Sequence, residues 1–377
     1  MSAQKWHDLG PVEAFKKEGL QEITVDKSKF ALSFKDGTFG AISAVCNHLG
    51  GPLCNGTLDG EYVVCPWHYW KFHRATGEGE PGDEDNRVPR HEVKIEEGRL
   101  FINRTASSKR NRVSPEPHPL ARPVKREKGP LRILGISTTV MDTAHPRYST
   151  SEVLLQAALD SVKQPATTKL IRLSDLKFRH CEGFYSKSAR ACSWPCSITQ
   201  MDDSDQLDQV YEAIVHWADV LLLATPIRWG SASSLYYKMV ERMNCIQNQI
   251  TLHDKALIRN KVASFIITGG QDNIQAVAGQ MLAFFSEIGF VFPSFPYVAH
   301  SLGWTAENME RNVAYVKNSE ELRQGSRELL QRALVLAQTL VDADAVETRV
   351  PPGGRKAHRL EPEAMQAAQA AQKKNDD

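Results

Sequence analysis

Two cysteine–histidine pairs are the first candidates for chemistry in this sequence. Cys46 and His48 have one residue between them, and Cys65 and His68, which follow after a gap of sixteen residues, have two. Two thiolates and two imidazoles can hold a 2Fe–2S cluster, with the cysteines on one iron and the histidines on the other. The same four side chains also satisfy a tetrahedral structural zinc site. The residue types therefore predict a metal centre and leave its identity open between these two.

A second candidate group combines hydroxyl, glycine and aromatic residues that follow predicted strands. Ligands of open parallel sheets bind beyond the carboxyl ends of the strands, and hydroxyls at a helix N-terminus form a phosphate cradle. A phosphate pocket beside an aromatic loop and a Gly-Gly loop suits flavin mononucleotide (FMN). The predicted FMN residues are Ser137, Thr138, Arg147, Ser149, Ser151, Pro226, Ile227, Arg228, Trp229, Gly230, Gly269, Gly270 and Gln271. Arg228 and Trp229 are the candidates for a place beside the reacting ring.

The elements that would position these residues follow two patterns. Residues 1–104 are β-rich, with apolar runs on either side of a Lys-Asp-Gly turn that signals a hairpin. From residue 131, apolar runs alternate with helical stretches, which predicts a parallel sheet covered on both faces. The predicted strands are 131–136, 169–173, 219–225, 262–268 and 290–298, and the predicted helices are 149–163, 203–217, 231–243, 272–288 and 320–340. We expect Ser149 and Glu152 to form a capping box.

These patterns predict a multidomain fold. An all-β domain occupies 1–104, and an α/β domain with a five-stranded parallel sheet occupies 131–342. The proline-rich basic segment 105–130 is predicted to be an extended linker, with a basic docking strip as the less favoured interpretation. Residues 343–377 are predicted to be a disordered tail.

The composition is typical of a soluble globular protein. The 377 residues carry a net charge of +1, and 41% are hydrophobic and 24% charged. The near-zero charge argues against a nucleic-acid or membrane-surface role, and there is no apolar run long enough to span a bilayer. The start of the chain has no apolar signal core. Seven cysteines, an odd number, indicate a reducing cytoplasm with ligand or free thiols rather than disulfides.

Residues 1–104 resemble a Rieske domain. The resemblance rests on Cys46-x-His48, Cys65-x-x-His68 and the Leu-Gly-Gly-Pro-Leu loop at 49–53. It implies a Rieske 2Fe–2S centre on those four residues. Respiratory-type members have an additional cysteine in each loop that together form a disulfide, and Gly51 and Trp67 stand in those places here. The resemblance therefore implies a ferredoxin-like centre with a low potential within the Rieske range.

Residues 131–341 resemble the flavodoxin-like superfamily, in particular NAD(P)H-dependent FMN reductases and iron–sulfur flavoproteins. Gly135-x-Ser137, the serine-rich stretch at 147–151, the Thr-Pro-Ile-Arg-Trp-Gly loop at 225–230 and the Gly-Gly pair at 269–270 carry it. It implies that the FMN phosphate binds at 137–151 and the ring near 226–231 and 269–271, in a dimer or tetramer. Iron–sulfur flavoproteins also hold a four-cysteine 4Fe–4S motif. Cys181, Cys192 and Cys196 lack a fourth cysteine, so we expect buried or free thiols.

Together the two resemblances imply an oxidoreductase that uses a 2Fe–2S cluster, FMN, and NADPH or NADH. We expect electrons to pass from the nicotinamide nucleotide through FMN and the Rieske centre to an oxygenase, another redox partner protein or a small organic substrate. Flow in the opposite direction, with the flavin reducing a small substrate, is one alternative. An electron carrier or redox sensor without nicotinamide reductase activity is the other.

Overall fold

The chain divides into two compact units in the computed structural model, which describes residues 5–17, 19–113, 117–269, 273–303 and 305–343. The first unit comprises Met1–Pro117 and Gly183–Cys192, and the second comprises His118–Glu182 and Ser193–Asp377. The first unit is therefore discontinuous in sequence. Within the described ranges, no helix combines the length and apolar character that crossing a membrane requires.

The first unit is built from three small antiparallel sheets. Strands β2 (Gly19–Val25), β3 (Ser28–Lys35), β4 (Thr38–Ser43) and β8 (Arg90–His91) form the largest, in that order. The second sheet has the order β1 (Trp6–Pro11), β10 (Arg99–Asn103), β9 (Val93–Glu96), and the third has the order β5 (Thr57–Asp59), β6 (Tyr62–Val64), β7 (Lys71–His73). The predicted hairpin at the Lys-Asp-Gly turn is confirmed, since β3 pairs with β4 and Lys35 lies opposite Thr38.

The second unit contains the predicted five-stranded, all-parallel sheet. Its order is β12 (Thr167–Arg172), β11 (Arg132–Ser137), β13 (Val220–Ile227), β14 (Val262–Gly269), β15 (Tyr297–Ser301). Every residue of β13 and β14 is buried. The buried apolar runs in the sequence identify these two strands because a parallel sheet is covered by helices on both faces.

The helices of the second unit include four of the five predicted ones over most of their length. They are α1 (Thr150–Leu159), α3 (Ser197–Met201), α4 (Asp208–Tyr211), α5 (Ser234–Arg242), α6 (Asn244–His253), α7 (Ile274–Glu287), α8 (Ala306–Asn318) and α9 (Glu320–Asp342). One short helix, α2 (Phe184–Lys187), belongs to the first unit. Helix α1 packs closely on β11, where a Cβ added to Gly135 would lie 2.7 Å from the Leu159 side chain.

Four sequence expectations about these elements need correction. The helix predicted at 203–217 begins at Asp208 and continues as a π-helix over Glu212–Trp217. The last strand is Tyr297–Ser301 rather than 290–298, because prolines at 293 and 296 interrupt that run and supply no backbone donor. Helices α2, α3, α6 and α8 were not predicted, since α2 and α3 are only four and five residues long and neither α6 nor α8 presents a long apolar stripe. The capping box is half formed: Ser149 accepts from the Glu152 N–H, but the Glu152 carboxylate binds Ser137 and Arg172.

The segment 105–130 makes specific contacts along its described length. Arg110 donates to Ser43 and to the Val45 carbonyl in the first unit. Arg122 and Arg126 form ion pairs with Glu212 and Asp219 in the second unit. Three of its basic side chains are therefore engaged within the chain. Of the predicted tail at 343–377, all but residue 343 lies outside the described residues.

Candidate functional site

Two loops of the first unit bring the predicted metal ligands together. Cys46 and His48 follow β4, and Cys65 and His68 lie between β6 and β7. The Nδ1 atoms of His48 and His68 are 3.1 Å apart, and the two cysteine thiols hydrogen-bond to each other. The structure therefore groups the ligands as a sulfur pair and a nitrogen pair.

The two loops are built in the same way. Cys46 N–H donates to the Gly51 carbonyl and Cys65 N–H donates to the Trp70 carbonyl, each at 2.8 Å. The residue four positions after each cysteine, Gly50 or Tyr69, has a positive φ. A Cβ on Gly51 would lie 2.8 Å from the Cys65 sulfur. Glycine at 51 thus leaves the space in which the second loop approaches the first.

The electrostatics of the four ligands fit a metal cluster. The hydrogen bond between the thiols raises the pKa of Cys46 and lowers the pKa of Cys65 to about 7, and the N–H groups of residues 67 and 68 also point to the Cys65 sulfur. Burial lowers the pKa of His48 to about 4 and also lowers the pKa of His68. Both imidazoles are therefore neutral at pH 7, which is the state that binds metal.

The grouping favours a two-iron cluster over zinc. A zinc ion needs its four ligands around a single point. A 2Fe–2S cluster has two metal positions and takes two cysteines on one iron and two histidines on the other. The pairwise arrangement of sulfur and nitrogen ligands matches that requirement.

A cleft in the second unit collects part of the predicted FMN set. It has a volume of about 190 Å³, and its lining includes the predicted residues Arg147, Ser149, Pro226, Ile227, Arg228 and Gly269. Thr139 and Thr150 also line it. The loops after β11, β13 and β14 therefore meet at one place, as expected for the carboxyl ends of neighbouring parallel strands.

Hydroxyl groups cluster where α1 begins. Ser149 is the N-cap of α1, and its hydroxyl lies 2.7 Å from that of Thr139. Thr150 bonds Thr268 at 2.6 Å, which ties the helix start to the end of β14. The unpaired N–H groups and the positive end of the helix dipole attract a phosphate at such a position. The cluster therefore has the character of a phosphate site.

Some of the predicted FMN residues lie outside this cleft lining. The Ser137 hydroxyl donates to the Glu152 carboxylate, and the Thr138 hydroxyl donates to the Ala224 carbonyl. Both hydroxyls are therefore used in hydrogen bonds at the sheet edge. Ser151 is buried against Thr139. These three side chains hold the loops in place rather than facing the cleft. Gly270 and Gln271 lie outside the described residues.

The predicted ring-side loop is a tight turn. Arg228 and Ser231 exchange two backbone hydrogen bonds, and Trp229 and Gly230 between them both have positive φ. Such a turn suits glycine well and a tryptophan poorly, which indicates local strain at Trp229. The Trp229 side chain is 90% exposed and does not line the cleft, whereas Arg228 does. A role for either residue beside a flavin ring stays a prediction.

Sequence reasoning missed one wall of the cleft. Helix α8 contributes Met309, Asn312 and Val313 to the lining. Asn312 is 3% exposed, and its Oδ1 atom has no hydrogen-bond partner. A buried amide with unused hydrogen-bonding capacity beside an open cleft is suited to a polar ligand. The weak apolar pattern of α8 concealed this contribution.

The remaining cysteines do not form a second metal site among the described residues. Cys192 belongs to the first unit, whereas Cys181 and Cys196 belong to the second. Cys196 is buried, and a hydrogen bond from Cys245 and the charge of Arg242 lower its pKa to about 5. Cys196 is therefore a buried sulfur held by its neighbours, and the lowered pKa favours its thiolate form.

Comparison with known proteins gives a family match for each of the two regions. The family model for the Rieske [2Fe-2S] domain matches residues 5–92, and the model for NADPH-dependent FMN reductase matches residues 132–305. The chain is 36% identical over 72 residues to a 3-ketosteroid-9-alpha-monooxygenase oxygenase component of Mycolicibacterium smegmatis, covering 19% of this chain and 18% of that protein. It is 26% identical over 100 residues to the ferredoxin component of a naphthalene 1,2-dioxygenase system of Pseudomonas aeruginosa, covering 26% of this chain and 96% of the ferredoxin.

One solved structure overlaps a larger part of the chain. RosB with bound 8-demethyl-8-formylriboflavin-5'-phosphate has a TM-score of 0.47 at 19% identity, and the match covers 62% of this chain and 88% of RosB. The chain spans less than a quarter of the length of the 3-ketosteroid-9-alpha-monooxygenase relatives, at most 22%. The similarity to those relatives therefore concerns one domain.

The two family matches do not overlap, and each falls on a region whose fold agrees with it. The β-rich first unit contains the paired cysteine and histidine loops, and the second unit contains the five-stranded parallel sheet with a cleft at its carboxyl edge. The two family matches imply a 2Fe–2S cluster, FMN and NAD(P)H as cofactors. The chain therefore joins a region that matches the Rieske [2Fe-2S] domain family to a region that matches the NADPH-dependent FMN reductase family.

Proposed function

We propose that this chain is an oxidoreductase that transfers electrons from NADPH or NADH to an acceptor. FMN held by the second unit would supply the exchange between two-electron and one-electron chemistry, and a 2Fe–2S centre held by the first unit would supply single-electron transfer. The acceptor is an oxygenase, another redox partner protein or a small organic substrate. One observation carries the proposal. One unit of the chain holds a pair of cysteines and a pair of histidines, and the other unit has a cleft at the edge of its sheet.

The first unit contributes the cluster ligands. Cys46 and Cys65 would hold one iron, and His48 and His68 would hold the other through their Nδ1 atoms. The 3.1 Å approach of those Nδ1 atoms supports this assignment. Backbone N–H groups that point to the cysteine sulfurs would stabilise the negative charge of the loaded cluster.

The second unit contributes the flavin cleft. Ser149, the start of α1 and the cation of Arg147 would hold the phosphate, and Arg228 and Gly269 would lie toward the ring. The common cleft lining supports this assignment. Asn312 would use its buried amide to orient the bound flavin from the side of α8.

We also propose that the chain works in the cytoplasm as a dimer or tetramer. The seven cysteines, none of them in a disulfide, support a reducing compartment. The 90% exposed Trp229, next to cleft-lining Arg228, supports a second copy near this loop. Aromatic side chains are enriched at protein interfaces, where a large contact area can be covered.

An anaerobic titration with NADPH tests the proposed electron path. The purified protein should lose its oxidised flavin absorbance, and the EPR signal of a reduced Rieske cluster should then grow. The variant with Arg147→Ala and Ser149→Ala should lose FMN and keep the cluster, so dithionite but not NADPH should still produce the EPR signal. Failure of NADPH and NADH to reduce the flavin would contradict the reductase and favour a carrier or sensor. Flavin reduction from the cluster side alone would indicate the opposite direction of flow.

A further inference from the structure

A short piece of the reductase region lies on one cluster loop of the first unit. Residues 183–192 fall inside the stretch that matches the FMN reductase family, yet they pack with the first unit. We call them the 183–192 segment. They form the one-turn helix α2 and a 3₁₀ turn at Ala189–Ala191, and the Ser188 hydroxyl accepts the Arg190 N–H between them.

The segment contacts a candidate cluster ligand directly. The Nε2 atom of His68 lies 2.9 Å from the carbonyl oxygen of Ala191. A carbonyl can only accept, so Nε2 carries the proton and Nδ1, which faces His48, is left free to bind metal. The contact thus fixes the tautomer that the proposed ligand role requires.

Other contacts seat the segment on the same loop. The Lys187 ammonium donates to the Pro66 carbonyl at 2.7 Å and lies 5.5 Å from the centre of the Tyr69 ring. The buried ring of Phe184 lies 6.0 Å from that of His68. The two candidate histidine ligands therefore differ in solvent exposure: His68 is 4% exposed, whereas His48 is half-buried.

We propose that the 183–192 segment is a built-in cap on His68 that closes this ligand to outside molecules and lowers the reduction potential of the cluster. This inference rests on the proposed assignment of His68 as an iron ligand. A hydrogen bond from a ligand imidazole to a carbonyl raises the basicity of that imidazole, which favours the oxidised iron. Losing the acceptor therefore shifts the potential upward.

The test compares the variant Phe184→Ala with the wild type and a control. The control is Tyr185→Ala, which removes a half-exposed aromatic side chain from the same helical turn. All three full-length proteins are loaded with cluster and titrated with EPR detection. We expect a higher midpoint potential in Phe184→Ala and an unchanged one in the control. The milder variant Phe184→Leu should shift the potential in the same direction, and it is read alone if Phe184→Ala does not load.

A second measurement does not depend on electron transfer. The oxidised proteins are treated with diethyl pyrocarbonate, and the modified histidines are identified by peptide mass mapping. His68 should react at least tenfold more slowly in the wild type than in the uncapped variant. Equal reaction rates, or a potential that does not move when the Phe184 ring is removed, would overturn the cap. A wild-type protein that binds iron without a Rieske EPR signal would instead overturn the ligand assignment, and the cap with it.

Discussion

Replacing Asn312 with leucine should have opposite effects on the free protein and on flavin binding. In the free protein the Oδ1 atom of Asn312 is buried without a partner. An unsatisfied buried acceptor costs about 1–3 kcal/mol, and leucine of similar size removes that cost. Leucine also has a better helix propensity than asparagine. We therefore expect Asn312→Leu to raise the stability of the FMN-free second unit by about 1–3 kcal/mol.

Flavin binding should weaken in the same variant. If the amide bonds the bound FMN, its loss removes about 0.5–1.5 kcal/mol, which corresponds to a roughly 2- to 12-fold higher Kd. Quenching of FMN fluorescence measures the Kd, and thermal unfolding with and without FMN measures the two stabilities. The gain in Tm caused by FMN should therefore be smaller than in the wild type.

The control for this variant is Asn318→Leu. Asn318 ends the same helix, is exposed, and donates its amide to the Ala314 carbonyl away from the cleft. It should leave the Kd for FMN unchanged. A destabilised Asn312→Leu protein with an unchanged Kd would show that the amide has a structural partner and no role toward the flavin, and the reasoning from the unsatisfied atom would be refuted.

Three further changes test other parts of the structure. Cys46→Ser should abolish the 2Fe–2S cluster while FMN binding remains, as measured by iron and flavin content, and retention of a full iron complement would contradict the ligand assignment. Asp205→Asn should destabilise the second unit by about 3–5 kcal/mol in hydrogen exchange, because it removes the buried carboxylate that pairs with the fully buried Arg242, and exposed Asp203→Asn is the matched control. Burial raises the pKa of Asp205, but its bonds to Arg242 lower it further, so the net shift is downward. The wild type should therefore lose this contribution only as the pH falls below about 4, and the variant should not show that loss. Ser149→Ala should weaken FMN binding and cost about 1 kcal/mol of stability through the lost helix cap, and unchanged values of both would argue against a phosphate site at α1.

The sequence was sufficient for those features that depend on local residue types. Cysteine and histidine spacing indicated the two cluster loops, and the buried apolar runs identified β13 and β14. The parallel arrangement of the five strands was predicted because strands that alternate with helices form a parallel sheet covered on both faces. The Ser149 hydroxyl was also predicted, since N-caps have a strong residue preference.

The features that the sequence did not reveal depend on distant contacts. Asn312 lines the cleft because α8 packs beside it. The polar sequence of α8 gave no sign that this side chain is buried. Whether the hydroxyls of residues 137 and 138 can bind a ligand depends on the hydrogen bonds that they already make at the sheet edge. The position of Ala191 beside His68 joins residues 123 positions apart. No local pattern encodes such a contact, because the carbonyl that makes it is common to every residue.

The discontinuity of the first unit affects how this protein can be made and dissected. During synthesis the β-rich part emerges first, but the residues that complete it follow only after the first two strands of the parallel sheet, β11 and β12. The first unit can therefore be completed only after part of the second unit has been synthesised. A fragment that stops at residue 117 would lack these residues, so its spectroscopy would describe an unfinished unit.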